Sequence, residues 1–166
     1  MPNYYREFNL DQRTHPERLW VISQLEDYSN KVILDLGCGK HKTIPEALGV
    51  DIEPVTDIKS DISKLDMQNE MADFVISRHS LEHLLDPIIS LKEWHRVLKS
   101  GGKLVIVLPD HSFVDTMSQV LSGGKHLHAY TRLSFANLLE TIKLFKVLKM
   151  ETVMENWSFG FVLEKT

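Results

Sequence analysis

The stretch "KVILDLGCGKHKTIPEALGVDIE", Lys31 to Glu53, decides how the rest of the chain is read. Val32 to Leu34 is an apolar run, Asp35 interrupts it, and Gly37-Cys38-Gly39 follows, with a second apolar pair leading to Asp51. A short β-branched run ended by glycine reads as a strand buried on both faces. "GVDIE" reads as a second strand. "ADFVIS", Ala72 to Ser77, and "GKLVIVLP", Gly102 to Pro109, are a third and fourth of the same kind.

Helical patterns lie between and around them. Thr14-His15-Pro16-Glu17 can open a helix with a Thr/Glu capping box and Pro in its first turn, running to about Asp27. In "DPIISLKEWHRVLKSGG", Asp86 can cap a helix that begins at Pro87. Ile88, Leu91, Trp94 or His95, and Leu98 recur along it, and Gly101-Gly102 end it. A later helix starts after "AYT", with Phe135, Leu138, Leu139, Ile142 and Phe145 on one face; Trp94 and this stripe read as core. The tail "KVLKMETVMENWSFGFVLEKT" reads as two strands around Glu155-Asn156, a hairpin at a sheet edge. Alternating strands and helices imply an α/β fold: a doubly wound, Rossmann-like, mainly parallel sheet that binds ligands at the carboxyl ends of its strands. The loops after Leu36, Ile52, Ile76 and Leu108 are therefore the ones to inspect.

A glycine turn after the first strand suggests a nucleotide-like ligand, although Gly-x-Gly alone marks many tight strand exits. A dinucleotide loop needs a third glycine where this chain has Lys42, and "KHKTIPEALG" with Pro45 leaves little room for the helix that would seat a pyrophosphate. Asp35 before the turn would repel phosphate and attract an ammonium or sulfonium group. S-adenosylmethionine meets these conditions, being cationic and free of phosphate. Asp51 at the end of the second strand suits its ribose hydroxyls, and Asp61 with Ile62 in "KSDISKLD" suits its adenine. A nicotinamide oxidoreductase is disfavoured by Lys42 and Asp35.

The pieces "ILDLGCG", "GVDIE", "SDISKLD", "DFVISRHSLEHLLDP" and "EWHRVLKSGGKLVIVLP", in this order between about Lys31 and Asp110, resemble class I S-adenosylmethionine-dependent methyltransferases of the small type 11 kind. The resemblance implies a seven-stranded sheet with an antiparallel last strand. It also implies S-adenosylmethionine as cofactor, with S-adenosylhomocysteine as product. By that resemblance Asp35, Gly37 and Gly39 hold the methionine end, with Cys38 between them as a small filler without chemistry of its own. Asp51, with Ile52 beside it, takes the ribose, Asp61 and Ile62 take the adenine, and Ser77, Arg78 and His79 close over the cofactor. The short "GCGKHKTIPEALGVD" connection departs from the family pattern and resembles members associated with carbohydrate and cell-envelope pathways.

Bulk properties agree with a modest enzyme. The chain has 166 residues, 43% of them apolar, which suits one domain over 1–166 with an N-terminal helical segment at 1–30. A formal charge of -4 gives no basic face for nucleic acid. No apolar run approaches the ~20 residues that span a bilayer, and the start "MPNYYREFNLDQR" has no secretory pattern. The single Cys38 excludes an internal disulfide and fits a reducing cytoplasm. A monomer or homodimer is expected.

The acceptor must be met by what remains of the chain. Residues 111–132, polar and carrying Gly123-Gly124 after a strand that ends at the cofactor, read as a lid over the acceptor site. His111, His126 and His128 within it are candidate general bases, and His79 is expected to face the reactive methyl. His79 and His83 flank Glu82, but the order is not H-E-x-x-H and no third ligand is evident, so no metal is expected. "GKHLHAYTRLSF" resembles a segment of sugar-pathway methyltransferases, which points to a small-molecule acceptor methylated on oxygen, a sugar or nucleotide sugar. The rival expectation is a non-catalytic S-adenosylmethionine-binding module that acts through a protein partner.

Overall fold

The computed structural model describes residues 14–54, 56–119, 123 and 125–166. Of the expected N-terminal segment, residues 1–13 lie outside the described residues, as do 120–122 and 124 of the expected lid. The elements in chain order are α1 (Pro16–Gln24), β1 (Ile33–Leu36), β2 (Leu48–Asp51), β3 (Ile58–Lys59), β4 (Ala72–Arg78), α2 (Pro87–Val97), β5 (Leu98–Pro109), α3 (Arg132–Ile142), β6 (Phe145–Met154) and β7 (Ser158–Lys165). They form a seven-stranded sheet of order β3-β2-β1-β4-β5-β7-β6. β1 pairs in parallel with both β2 and β4, while β7 runs antiparallel to β5 and β6. The expected mainly parallel sheet with an antiparallel last strand is the one observed.

Two apolar layers sandwich the sheet. β5 alternates between them: Leu104, Ile106 and Leu108 enter the layer under α2 and α3 with Trp94, Phe135 and Phe161, whereas Val105 and Val107 meet Val21 of α1, Ile44 and Phe74. That alternation follows from the two-residue period of a strand. α2 starts as its residues dictate, with the Asp86 carboxylate accepting from the Ile88 and Ile89 N–H groups and Pro87 at its head. α3 opens with a Thr131/Ser134 capping box.

The structure departs from expectation at several ends. α1 stops at Gln24 rather than Asp27, which adopts φ 45°, and its N-cap is His15 without a side-chain hydrogen bond. Glu17, expected to reach back as a capping partner, is buried instead at 2% exposure. Its spacing explains why: Glu17, Val21 and Leu25 recur every four residues on the inward face of the helix segment. Leu98 leaves the α2 stripe and begins β5, where it pairs with Ala72 before Lys103 pairs with Phe74. Residues 99–102 bulge between those pairs, with Gly101 at φ 73°, which an L side chain rarely tolerates. The two-residue β3 was not expected from sequence, being too short for any pattern to register. Among the described residues no helix is long and apolar enough to cross a membrane.

Candidate active site

The strand order reverses about β1, whose neighbours β2 and β4 lead away on opposite sides. At such a switch point the loops after the strands diverge and leave a crevice. A cavity of about 650 Å³ lies there, lined by Gly37 and Gly39 after β1, Asp51 and Ile52 after β2, Asp61 and Ile62, and His79 at the end of β4. Seven of the eleven expected cofactor residues thus share one wall: Gly37, Gly39, Asp51, Ile52, Asp61, Ile62 and His79.

The glycine turn is built for close approach. Gly37 has φ 73° and a Cβ there would fall 2.2 Å from the Ser80 Oγ, while Gly39 has φ 55° and nothing within 4 Å of its Cβ position. One glycine therefore packs tightly against the loop after β4, and the other leaves an open face. Ser80, which sequence reading passed over, secures this packing with its hydroxyl 3.1 Å from the Leu36 carbonyl and 3.3 Å from that of Gly37. Asp51 is clamped from behind: Oδ2 accepts the Gly39 N–H at 2.8 Å and Oδ1 the Glu53 N–H at 3.0 Å. A carboxylate has about four acceptor positions, so Asp51, which lines the cavity, keeps acceptor capacity to spare. Asp61 accepts the Ser63 N–H and hydroxyl on Oδ1, and Trp94 donates from Nε1 to the Ile62 carbonyl at 2.8 Å, fixing the apolar wall.

Four expected cofactor residues point elsewhere. Leu34 and Leu36 belong to the layer under α2, so Asp35 between them must face the other side of the sheet. There its carboxylate, 1% exposed, accepts the Thr43 N–H at 2.5 Å and anchors residues 40–47, the connection between β1 and β2. Burial pushes the Asp35 carboxyl up, against the Thr43 hydrogen bond. The expectation that Asp35 presents a fixed charge to the ligand is corrected. Arg78 follows the same alternation, its charge acting on Asp35 and His15. Ser77 is wholly buried below the rim. The Cys38 thiol packs against Gly49, and burial together with the Asp35 and Asp51 charges pushes it up to about 11, so it is inert. The negative charge along the cavity is carried instead by the lining acids Asp51, Glu53 and Asp61; the lining amine, Lys125, comes from the β5–α3 connection.

At the other end stands His79. It closes β4 with φ 53°, a left-handed conformation unusual for a residue with a side chain, held by its N–H to the Val107 carbonyl. Its Nε2 sits 2.9 Å from both carboxylate oxygens of Glu17, which arrives from α1, sixty-two residues away in sequence. Burial pushes the Glu17 carboxyl up, but the His79 charge and hydrogen bond outweigh it and hold it at about 2. For His79 burial acts downward, and the Glu17 and Glu82 carboxylates overcome it to raise the imidazole to about 10. The ring is therefore a cation at neutral pH rather than a base. Glu17→Ala would strand that cation beside the core, and we expect a loss of about 2 kcal/mol, read as a lower urea midpoint. A midpoint equal to wild type would show that the pair does not hold α1 to β4.

The other expected bases are engaged away from the cavity wall. His111 is exposed, with Nδ1 2.9 Å from the Thr116 Oγ1, and braces its own connection. His128 donates from Nε2 to the Leu84 carbonyl at 2.9 Å, tying the connection to the turn after β4. Glu82 sits in that turn with its side chain fully buried, near three imidazoles: His79 Nδ1 at 3.5 Å, His126 Nε2 at 3.9 Å and His83 Nε2 at 4.0 Å. Sequence order showed His79, Glu82 and His83 but not that His126, forty-three positions beyond His83, would join them. That juxtaposition depends on the Leu127 and His128 N–H groups donating to the Glu82 carbonyl.

Known proteins agree with this architecture. A malonyl-[acyl-carrier protein] O-methyltransferase of Marinomonas sp. (strain MWYL1) is 26% identical over 105 residues, covering 61% of this chain but only 38% of that protein, so the chain spans well under two thirds of its length. A SAM-dependent methyltransferase from Aquifex aeolicus superposes with a TM-score of 0.74 over 100% of both chains at 17% identity. The 1,6-didemethyltoxoflavin-N1-methyltransferase of Burkholderia thailandensis, solved with bound 1,6-didemethyltoxoflavin and S-adenosylhomocysteine, gives a TM-score of 0.69 over 92% of this chain and 77% of that one, also at 17% identity. Residues 13–147 match the family described as Methyltransferase domain, and the chain belongs to that family, with the fold of the S-adenosylmethionine-dependent methyltransferases.

Proposed function

We propose that the protein transfers the methyl group of S-adenosylmethionine to an oxygen of a small hydroxylated acceptor, a sugar or nucleotide sugar, in the cytoplasm. The observation that carries the cofactor reading is Asp51 at the end of β2, held by two backbone N–H groups with acceptor capacity left that suits a pair of ribose hydroxyls. Gly39 leaves room for the methionine portion, and Ile62 with Asp61 forms the adenine side. The acids at this end also repel a pyrophosphate, as the phosphate-free ligand requires. Bound there, the sulfonium supplies an electrophilic methyl group.

The chain's own task is alignment and exclusion of water. His79, fixed by Glu17, would border the methyl, and residues 111–132 would act as a lid whose Lys125 reaches the cavity and suits an acceptor phosphate. Calorimetry with S-adenosylhomocysteine tests the cofactor site. Asp51→Ala removes charge-assisted hydrogen bonds worth about 1.5–3 kcal/mol, so affinity should fall by roughly ten- to a hundredfold. Unchanged affinity would remove the ribose assignment.

A further inference from the structure

Glu82 is the feature that methyl transfer by alignment leaves unexplained. Both of its carboxylate oxygens are buried without a hydrogen-bond partner, at 0% side-chain exposure. Burying an ionised carboxylate without hydrogen bonds is costly, and the His79 cation, 3.5 Å from Oε1, makes none to it. The donors around it are nitrogen atoms suited to metal. Glu82, His83 and His126 each offer one ligand atom, all within 4.8 Å of one another, and the His83 and His126 rings meet edge to face at 4.5 Å.

The outer contacts orient these rings. The Nδ1 of His83 sits 3.1 Å from the Lys125 carbonyl, which selects the tautomer protonated there and leaves Nε2 free toward Glu82. His79 presents Nδ1 to the same carboxylate while Nε2 is held by Glu17, the carboxylate–imidazole arrangement that commonly stands behind a metal ligand. Two ligand-bearing elements, the turn after β4 and the β5–α3 connection, are locked together through the Glu82 carbonyl.

We propose that Glu82, His83 and His126 hold a divalent transition-metal ion of the Zn²⁺ type at the acceptor end of the cavity, with the His79 cation beside Glu82 as an outer neighbour rather than a ligand. Mixed imidazole and carboxylate donors favour such ions over Mg²⁺ or Ca²⁺, which take mainly oxygen. Ligand atoms around tetrahedral zinc lie roughly 3.4 Å apart, so the cluster must contract by about 1 Å, a shift that side-chain rotation supplies. Because His79 and His83 line the cavity, an open coordination position would face the acceptor. An acceptor hydroxyl bound there sheds its proton to solvent more readily. Its oxygen then forms the bond to the methyl carbon as the carbon–sulfur bond breaks and leaves its electron pair on sulfur. This role rests on the proposed methyltransferase reading; the metal site itself does not.

The test uses full-length, tag-free protein stripped with EDTA, dialysed against Zn²⁺ or Mg²⁺ and assayed for bound metal by elemental analysis. Co²⁺ loading, followed by its visible absorption, reports the coordination independently of any turnover. Wild type should retain close to one equivalent of Zn²⁺ and little Mg²⁺. Glu82→Gln and His126→Ala should each weaken Zn²⁺ retention at least tenfold, and His83→Ala, whose half-exposed ring leaves no core cavity, serves as the variant least able to disturb folding. No stoichiometric Zn²⁺ in wild type, or equal retention by a folded His83→Ala or His126→Ala, overturns the site. S-adenosylhomocysteine calorimetry on the same samples separates the two readings. Cofactor heat without metal binding removes this inference alone, and metal binding without cofactor heat removes the methyltransferase reading alone.

Discussion

Gly37→Ala is expected to abolish measurable binding of S-adenosylhomocysteine while leaving most of the sheet folded. Two costs add at that position. The backbone sits at φ 73°, where an L side chain costs about 1–2 kcal/mol. The new methyl would also lie 2.2 Å from the Ser80 Oγ and 2.6 Å from its Cβ, with Ile62 Cδ1 at 3.3 Å. Ser80 cannot retreat without losing its contacts to the Leu36 and Gly37 carbonyls, and the overlap adds about 1–3 kcal/mol. The turn must open instead, which moves the Gly39 N–H off Asp51 and unlocks the carboxylate proposed to take the ribose. Calorimetry should show at least a hundredfold loss of affinity; retention within threefold would mean that the turn does not shape the pocket. Gly39→Ala provides the contrast, since its Cβ meets nothing within 4 Å and only the backbone preference is opposed.

Trp94→Ala should be the most destabilising substitution in the chain. The indole is fully buried among the residues of the layer under α2, and its Nε1 donates to the Ile62 carbonyl at 2.8 Å. Truncating a buried aromatic side chain costs about 3–5 kcal/mol through lost burial and the cavity that remains. Because the lost hydrogen bond also frees the Ile62 backbone, cofactor affinity should fall along with the urea midpoint. Trp94→Phe separates the two effects, restoring most of the packing but not the hydrogen bond. If Trp94→Phe binds cofactor as wild type does, the indole N–H has no part in shaping the wall proposed to take the adenine.

Among these residues, those that act within their own local segment were legible in advance. Gly37 and Gly39 ended a β-branched run, Asp51 ended the next, and Asp86-Pro87 opened a helix; each depends on neighbours a few positions away. Asp35 shows where such reading stops. Its place in the strand was plain, but which face carries the cavity was not, and a strand that is buried on both sides has no polar alternation to reveal it. The expectation that His111 and His128 act as bases rests on residue type and their place in the connection after β5, whereas hydrogen bonds to Thr116 and Leu84 engage those imidazoles and neither lines the cavity.

The amino-acid sequence by itself determined the order of strands and helices, the sharp turn after β1 and the carboxylate at the end of β2, because these follow from backbone sterics and short-range burial patterns. Only the tertiary structure decided that Glu17 of α1 would clamp His79, and that Glu82 would be ringed by His79, His83 and His126. Those partners lie on elements that meet only after the sheet has closed and the two layers have packed. The identity of each residue is written along the chain, but the electrostatic field it experiences is set by the segments folded against it.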